Sequence, residues 1–184
     1  MNSPFGLMLT RTLQLTILAA VMGCAASLVS VGTEERSKRV GAGKTIKFVA
    51  DTTYTAECTS CHVGFLPGFL PMRSWNKIMG DLENHFGENA SLEDPALSNI
   101  KAYLVNNAAD SNLASVRSKK IAKMIASSDT PIRIIETPFW IKKHRAIKKY
   151  VWKRPKIPSK SSCDSCHRDA NKGIFDEHDV HVPR

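Results

Sequence analysis

Two five-residue strings, Cys58-Thr59-Ser60-Cys61-His62 and Cys163-Asp164-Ser165-Cys166-His167, constrain this chain more than any other feature. In each, two thiols three residues apart are followed at once by an imidazole. Thiols so spaced on a first helical turn can add to the two vinyl groups of one porphyrin, and the adjacent ring then reaches the iron from one side. Each string therefore reads as a covalent attachment site for c-type haem. The expected cofactors are two covalently bound haem c groups, with Cys58, Cys61, Cys163 and Cys166 as thioethers and His62 and His167 as the first iron ligands. Paired CxxC strings can also build one zinc site. Against that, a His follows each pair directly and Cys163 lies 105 positions after Cys58, which favours two separate centres. A thioredoxin-like redox pair would need a βαβ setting that the pattern below does not offer.

The N-terminus sets the compartment. The first 31 residues hold no acid and one base, Arg11, ahead of an apolar run over 13–22 that grades into Gly23, Cys24, Ala25, Ala26 and Ser27. This reads as an export signal over 1–26 and places the mature protein in the periplasm. Two other endings stay open. Val21-Met22-Gly23-Cys24 imitates a lipoprotein cleavage site with lipidation at Cys24, and the 19 residues of 13–31 would suffice for a tilted membrane anchor. Loss of 1–26 removes one Arg and no acid, so the formal charge of +9 becomes +8.

A chain that is 42% hydrophobic and 23% charged can bury a core, which excludes wholesale disorder. The polar stretch 27–55 reads as a linker, with order expected from near Glu57. Helical spacing of Trp75, Ile78, Met79, Leu82 and Phe86 predicts a helix over 74–86, capped by Ser74 and stopped by Gly87. His85 would lie on its apolar face. A third helix is expected over 94–107, with Asp94 as cap and Pro95 at the first position. A fourth is expected over 113–126, with Leu113, Val116, Ile121, Met124 and Ile125 inward. Ser, Thr and two Pro over 127–138 break the pattern, as at a boundary between domains 56–128 and 129–184. Thr137-Pro138 then restarts a helix that sets Trp140, His144 and Ile147 on one face, and Gly173 ends a short helix after the second Cys pair. No sheet pattern is present, so the fold class is all-α.

Each iron needs a ligand on its other face. His85 comes 23 residues after His62, and His144 comes 23 residues before His167. Both are predicted on apolar faces, where an unpaired imidazole carries a desolvation cost that ligation removes. Met124, Met72 and Met79 are rival ligands for the first iron; a thioether raises the reduction potential and a second His keeps it lower. His178 and His181, in a polar tail, are alternatives to His144.

In order along the chain, these features resemble the dihaem cytochrome c family of exported bacterial electron carriers, from about residue 57 to 184. The matching residues include Glu57-Cys58-Thr59-Ser60-Cys61-His62, Pro67-Gly68-Phe69-Leu70-Pro71, His85-Phe86-Gly87, Thr137-Pro138-Phe139-Trp140, Lys143-His144-Arg145 and the second haem string. The resemblance implies two small haem-binding domains, the first a four-helix fold similar to class I cytochromes c and the second a smaller irregular helical unit. It also implies that both irons are ligated by two His, pairing His62 with His85 and His167 with His144. Family members are thought to pass electrons to a small oxygen-binding monohaem cytochrome or to work beside a membrane b-type cytochrome.

The leading functional reading is a periplasmic electron-transfer protein with two six-coordinate irons. The runner-up is a dihaem peroxidase or reductase with one open iron, which would require His85 or His144 to be a core residue or a removable ligand. A third reading starts from the run 142–156, with eight Lys and Arg in fifteen residues around Tyr150 and Trp152. Export argues against nucleic acid as its target. It is either a solvated face that balances roughly four propionate charges, or a docking face for an acidic redox partner or anionic lipid.

Overall fold

A helix that the hydrophobic pattern does not announce opens the described chain. The computed structural model describes residue 46 and residues 49–184, so the export signal, Cys24 and the anchor lie outside the described residues. Helix α1 (Thr52–Cys58) begins inside the stretch expected to be linker. The Asp51 carboxylate accepts the Tyr54 backbone N–H at 2.7 Å and caps it. Tyr54 is buried, and its hydroxyl donates to the Phe65 carbonyl at 2.9 Å. Order thus begins before Glu57. Cys58 is the last residue of α1, so the first attachment string leaves a helix end instead of occupying a first helical turn.

Helix α2 (Met72–Met79) is stopped by Gly80, its last residue seven short of the expected 86. Polar residues here bond locally and compete with the helix: Asn84 donates its side-chain N–H to the Asp81 carboxylate at 2.7 Å. A single 3-10 turn, Leu82–Asn84, follows. The chain then reverses through Phe86 at φ +57° and Gly87 at φ +105°. His85 is consequently in a turn and not on a helix face.

Helix α3 (Ala96–Asn106) starts one residue after Pro95, and the Asp94 carboxylate accepts the Ser98 N–H at 3.2 Å. Its buried Tyr103 meets the Tyr54 ring at 5.2 Å with planes tilted by 41° and donates to the Val49 carbonyl at 2.8 Å, fixing the segment before α1. Helix α4 (Val116–Ala122) is capped by Ser115, which accepts the Ser118 N–H at 3.1 Å. It is shorter than predicted, and Leu113, Val116 and Met124 are exposed while Ile121 and Ile125 are buried. Gly68, in the 3-10 turn Pro67–Phe69, lets α4 close: a Cβ there would collide with Ser118 Oγ and stand 2.7 Å from Ile46 Cγ2.

Helix α5 (Pro138–His144) forms where the sequence places it, with Pro138 at its first position and the Thr137 hydroxyl accepting the Trp140 N–H at 3.3 Å. Beyond it the chain makes only 3-10 turns, among them Cys163–Ser165 and Ala170–Lys172, the latter ended by Gly173 at φ +71°. The described residues contain helices and two isolated β-bridges but no strand, so the class is all-α. They all fall within one compact unit, Gly41–Arg184. Residues on either side of the expected boundary at 129 pack together. Phe69 lies 6.4 Å from Phe139 and 5.2 Å from Phe175, and Arg73 donates to the carbonyls of Ala126 and Asp129.

Candidate haem sites

The four histidines singled out by spacing meet in two pairs. The His62 and His85 ring centres are 6.2 Å apart with planes inclined by 25°, and those of His144 and His167 are 6.3 Å apart at 78°. Two imidazoles bound to opposite sides of one metal, each through a bond of about 2.0–2.1 Å, put their ring centres about 6.3 Å apart. Both pairs match that spacing. Each pair borders a cavity that its own cysteines also line. Cys58, Cys61, His62 and His85 surround about 760 Å³, and Cys163, Cys166, His144 and His167 surround about 380 Å³. Both volumes fall in the range of about 300–1,000 Å³ that suits bound cofactors. The four thiols form no disulfide.

The surroundings prepare the rings to act as ligands. His62 Nδ1 is 2.8 Å from the Val63 carbonyl and His144 Nδ1 is 2.9 Å from the Trp140 carbonyl. An Nδ1–H donated to a carbonyl leaves the lone pair on Nε2. Burial holds His85 below the ordinary histidine range, with His62 and Arg133 adding to the effect. Burial also lowers His144 and, together with His144 itself, His167. The uncharged ring is the form that binds a metal. Burial pushes the Cys58 thiol up to about 11, and it does the same for Cys163, helped by Asp164. His167 Nδ1 is buried without a hydrogen-bond partner among the described residues.

The alternatives considered for these roles sit elsewhere, with one exception. Met124 is exposed and borders neither cavity, whereas Met79 is buried in the wall of the first. His178 and His181 are exposed and border neither cavity; His181 meets this region through its backbone N–H, which donates to the Cys166 carbonyl at 2.8 Å. No group of three or more His, Cys, Asp or Glu able to hold a bare metal ion occurs among the described residues.

The contact of Trp140 with His144 follows from the face they were expected to share, whereas the approach of Trp152 and a wall common to both cavities were not read from the sequence. Trp140 stacks on His144, with ring centres 4.2 Å apart and planes 16° apart, and Trp152 lies 5.5 Å beyond it. The i, i+4 spacing on α5 was the available signal. Phe65, Ile134 and Cys163 line both cavities, so the two share a wall. No local pattern marks Phe65 or Ile134 for this role, because their neighbours are distant in sequence.

Comparison with known proteins decides the family. The family model of dihaem cytochrome c matches residues 54–175. The chain belongs to the dihaem cytochrome c family. A dihaem cytochrome c structure from Rhodobacter sphaeroides is 39% identical, with a TM-score of 0.60 over 69% of this chain and 98% of that one. Another crystal structure from the same organism is 38% identical, with a TM-score of 0.57 over 70% and 100%. A diheme cytochrome c from Shewanella baltica is 39% identical, with a TM-score of 0.59 over 72% and 92%. No curated protein matches the chain. As a dihaem cytochrome c, the chain carries two covalently attached haem c groups and is a haem-based electron carrier. Among the described residues no helix is long and apolar enough to cross a membrane.

Proposed function

We infer that this dihaem cytochrome c works in the periplasm, with both haem irons held between two histidines, His62 with His85 and His144 with His167. The carrying observation is the pair of ring separations, 6.2 and 6.3 Å, each beside its own two cysteines. Cys58 and Cys61 would bind the first haem and Cys163 and Cys166 the second. The iron supplies one-electron chemistry, and the protein supplies position, dielectric and access. Trp75, Met79 and Leu104 at the first cavity, and Phe69, Trp140 and Phe175 at the second, exclude water from the rings. Arg117, Lys143 and Lys160 border the second cavity and Arg133 the first, offering counter-charge to propionates.

Ligation of each iron by two histidines would keep its potential low and leave no position for substrate, which suits a carrier rather than a peroxidase or reductase. The expected partners are other redox proteins, such as a monohaem oxygen-binding cytochrome or a membrane b-type cytochrome, with nucleic acid excluded by export. Protein from an exporting, haem-maturing host tests the reading. Its intact mass should exceed the processed chain by two haems, with the mature N-terminus near residue 27, and the reduced form should not bind carbon monoxide. Ready carbon monoxide binding by one haem would return the enzyme reading.

A further inference from the structure

The segments that carry His85 and His144 have opposite charge. Residues 81–94, around His85, hold five acids, all exposed, and no Lys or Arg. Residues 137–160, around His144, hold nine Lys and Arg and no acid. Of those nine, Lys143 is the one that forms an ion pair with another described residue, Glu177. Lys148, Lys149 and Lys153 are exposed with no carboxylate partner among the described residues. Two large apolar side chains stand among them, Ile141 at 54% and Tyr150 at 61% exposure. Glu177, after the second attachment string, offsets Lys143 on α5, but among the described residues no ion pair joins the acids beyond that string to Lys148, Lys149 or Lys153. Asp169 pairs with Lys172, and Glu177 is held by Lys143 and Arg117.

A cationic segment that also exposes two apolar side chains suits a transient encounter, in which charge sets the approach and little area is buried. Helix α5 ties this face to the chemistry. Its seven residues include exposed Ile141 and Lys142 together with Trp140, Lys143 and His144, which border the second cavity. The opposite sign of the 81–94 loop matters to a partner that must choose between two sites. A lipid surface makes no such choice, so the contrast favours a protein.

We propose that an acidic redox protein docks on the face built by residues 137–160 and exchanges electrons at the second haem site, while the acidic 81–94 loop turns that partner away from the first. One electron leaves the reduced partner and is taken up at the second site; no atom is transferred. The proposal rests on the electron-carrier reading and adds which face the partner meets.

Reduced plant-type ferredoxin serves as the acidic probe, mixed with oxidised holoprotein in stopped flow across a salt series. Carbodiimide cross-links between its carboxylates and the cytochrome's lysines are mapped by mass spectrometry. The combined variant Lys148→Glu, Lys149→Glu, Lys153→Glu should react at least about tenfold more slowly at low salt. The difference should vanish at about 0.5 M salt, cross-links within 142–156 should disappear, and both haem spectra should stay unchanged. Reversing Lys119 and Lys120 on α4 with Lys123 just after it changes net charge equally and should leave the rate within about twofold of wild type. Glu83→Lys with Glu93→Lys should add cross-links within 81–94. An α4 variant as slow as the first would reduce the effect to net charge and overturn the proposal. So would an unchanged rate in the first variant, including the case where wild type alone sediments with phosphatidylserine vesicles. Wild type that dithionite reduces but ferredoxin does not, at any salt, defeats the docking face alone. Sites that dithionite cannot reduce defeat the electron-carrier reading itself.

Discussion

His85 and His144 face their partner rings at nearly the same distance, yet the chain holds them differently. His144 ends helix α5, with its ring stacked on Trp140 and its Nδ1 on the carbonyl of the same residue. Four residues of local sequence fix both its position and its orientation. His85 sits in a turn whose next residue, Phe86, has φ +57°, a left-handed conformation that costs a non-glycine residue about 1–2 kcal/mol. Its support is tertiary. The Phe86 ring meets it edge-on at 4.8 Å, and Arg133, from beyond α4, lies 4.1 Å over that ring. The same ligand can thus be delivered by a helix repeat or by a turn held from a distance, and the two should fail differently when perturbed.

The largest expected effect separates the sites outright. His85→Ala and His144→Ala should each convert one haem to a high-spin, carbon-monoxide-binding form and leave the other low-spin. Optical spectra of the reduced proteins check this, and a Met79→Ala variant that opens the first site when His85→Ala does not would reassign its ligand. The unmodified protein offers a sharper contrast. With an iron bound between each pair, ring planes inclined by 25° at one site and 78° at the other would give different splittings among its d orbitals. Electron paramagnetic resonance of the oxidised protein should therefore show two low-spin signals, one ordinary rhombic and one of much larger anisotropy. Two superimposable signals would mean that the inclinations are equal.

A smaller effect is expected at Trp140. Trp140→Leu removes a stacking contribution of about 0.5–1.5 kcal/mol. It should shift the potential of the second site and admit some carbon monoxide there, with Trp140→Phe restoring both and the first site unaffected. The smallest effect concerns Glu177, which the Lys143 hydrogen bond, with Arg117 nearby, holds below the usual carboxylate range. A depressed folded value means that the contribution is present above the ordinary glutamate pKa of about 4.3 and is lost as pH falls through the folded value. Because Glu177 is largely exposed, Glu177→Gln should cost at most about 1 kcal/mol at neutral pH. Thermal unfolding of the two proteins should converge in acid.

Local signals were legible and distant ones were not. Thr137 with Pro138 and Gly173 mark element ends through chemistry contained within a few residues, and His144 follows from α5, whereas the cap at Ser115 was passed over when the fourth helix was expected from 113. The 74–86 prediction failed after Met79 because periodicity alone counts Leu82 and Phe86 without weighing Gly80 and the Asp81–Asn84 bond against them. His85 still reaches the first cavity, so its spacing from His62 carried the site after the helix argument had lapsed. Helix α1 and its cap at Asp51 were invisible because Tyr54 is the one buried residue of α1, and its partners Phe65 and Tyr103 lie 11 and 49 positions away. Leu113, Val116 and Met124 show the converse, apolar residues at helical spacing that remain in water.

The wall formed by Phe65, Ile134 and Cys163 bears on how this protein accepts its second electron. A charge gained on one side of an apolar partition is felt on the other, because a low-dielectric medium screens poorly. The affinity of each site for an electron then depends on whether its neighbour is filled, and a voltammetric wave records steps that belong to the pair. Filling one side makes the other harder to fill, which spreads the working range of the carrier over a wider span of donor strengths than two isolated centres would cover.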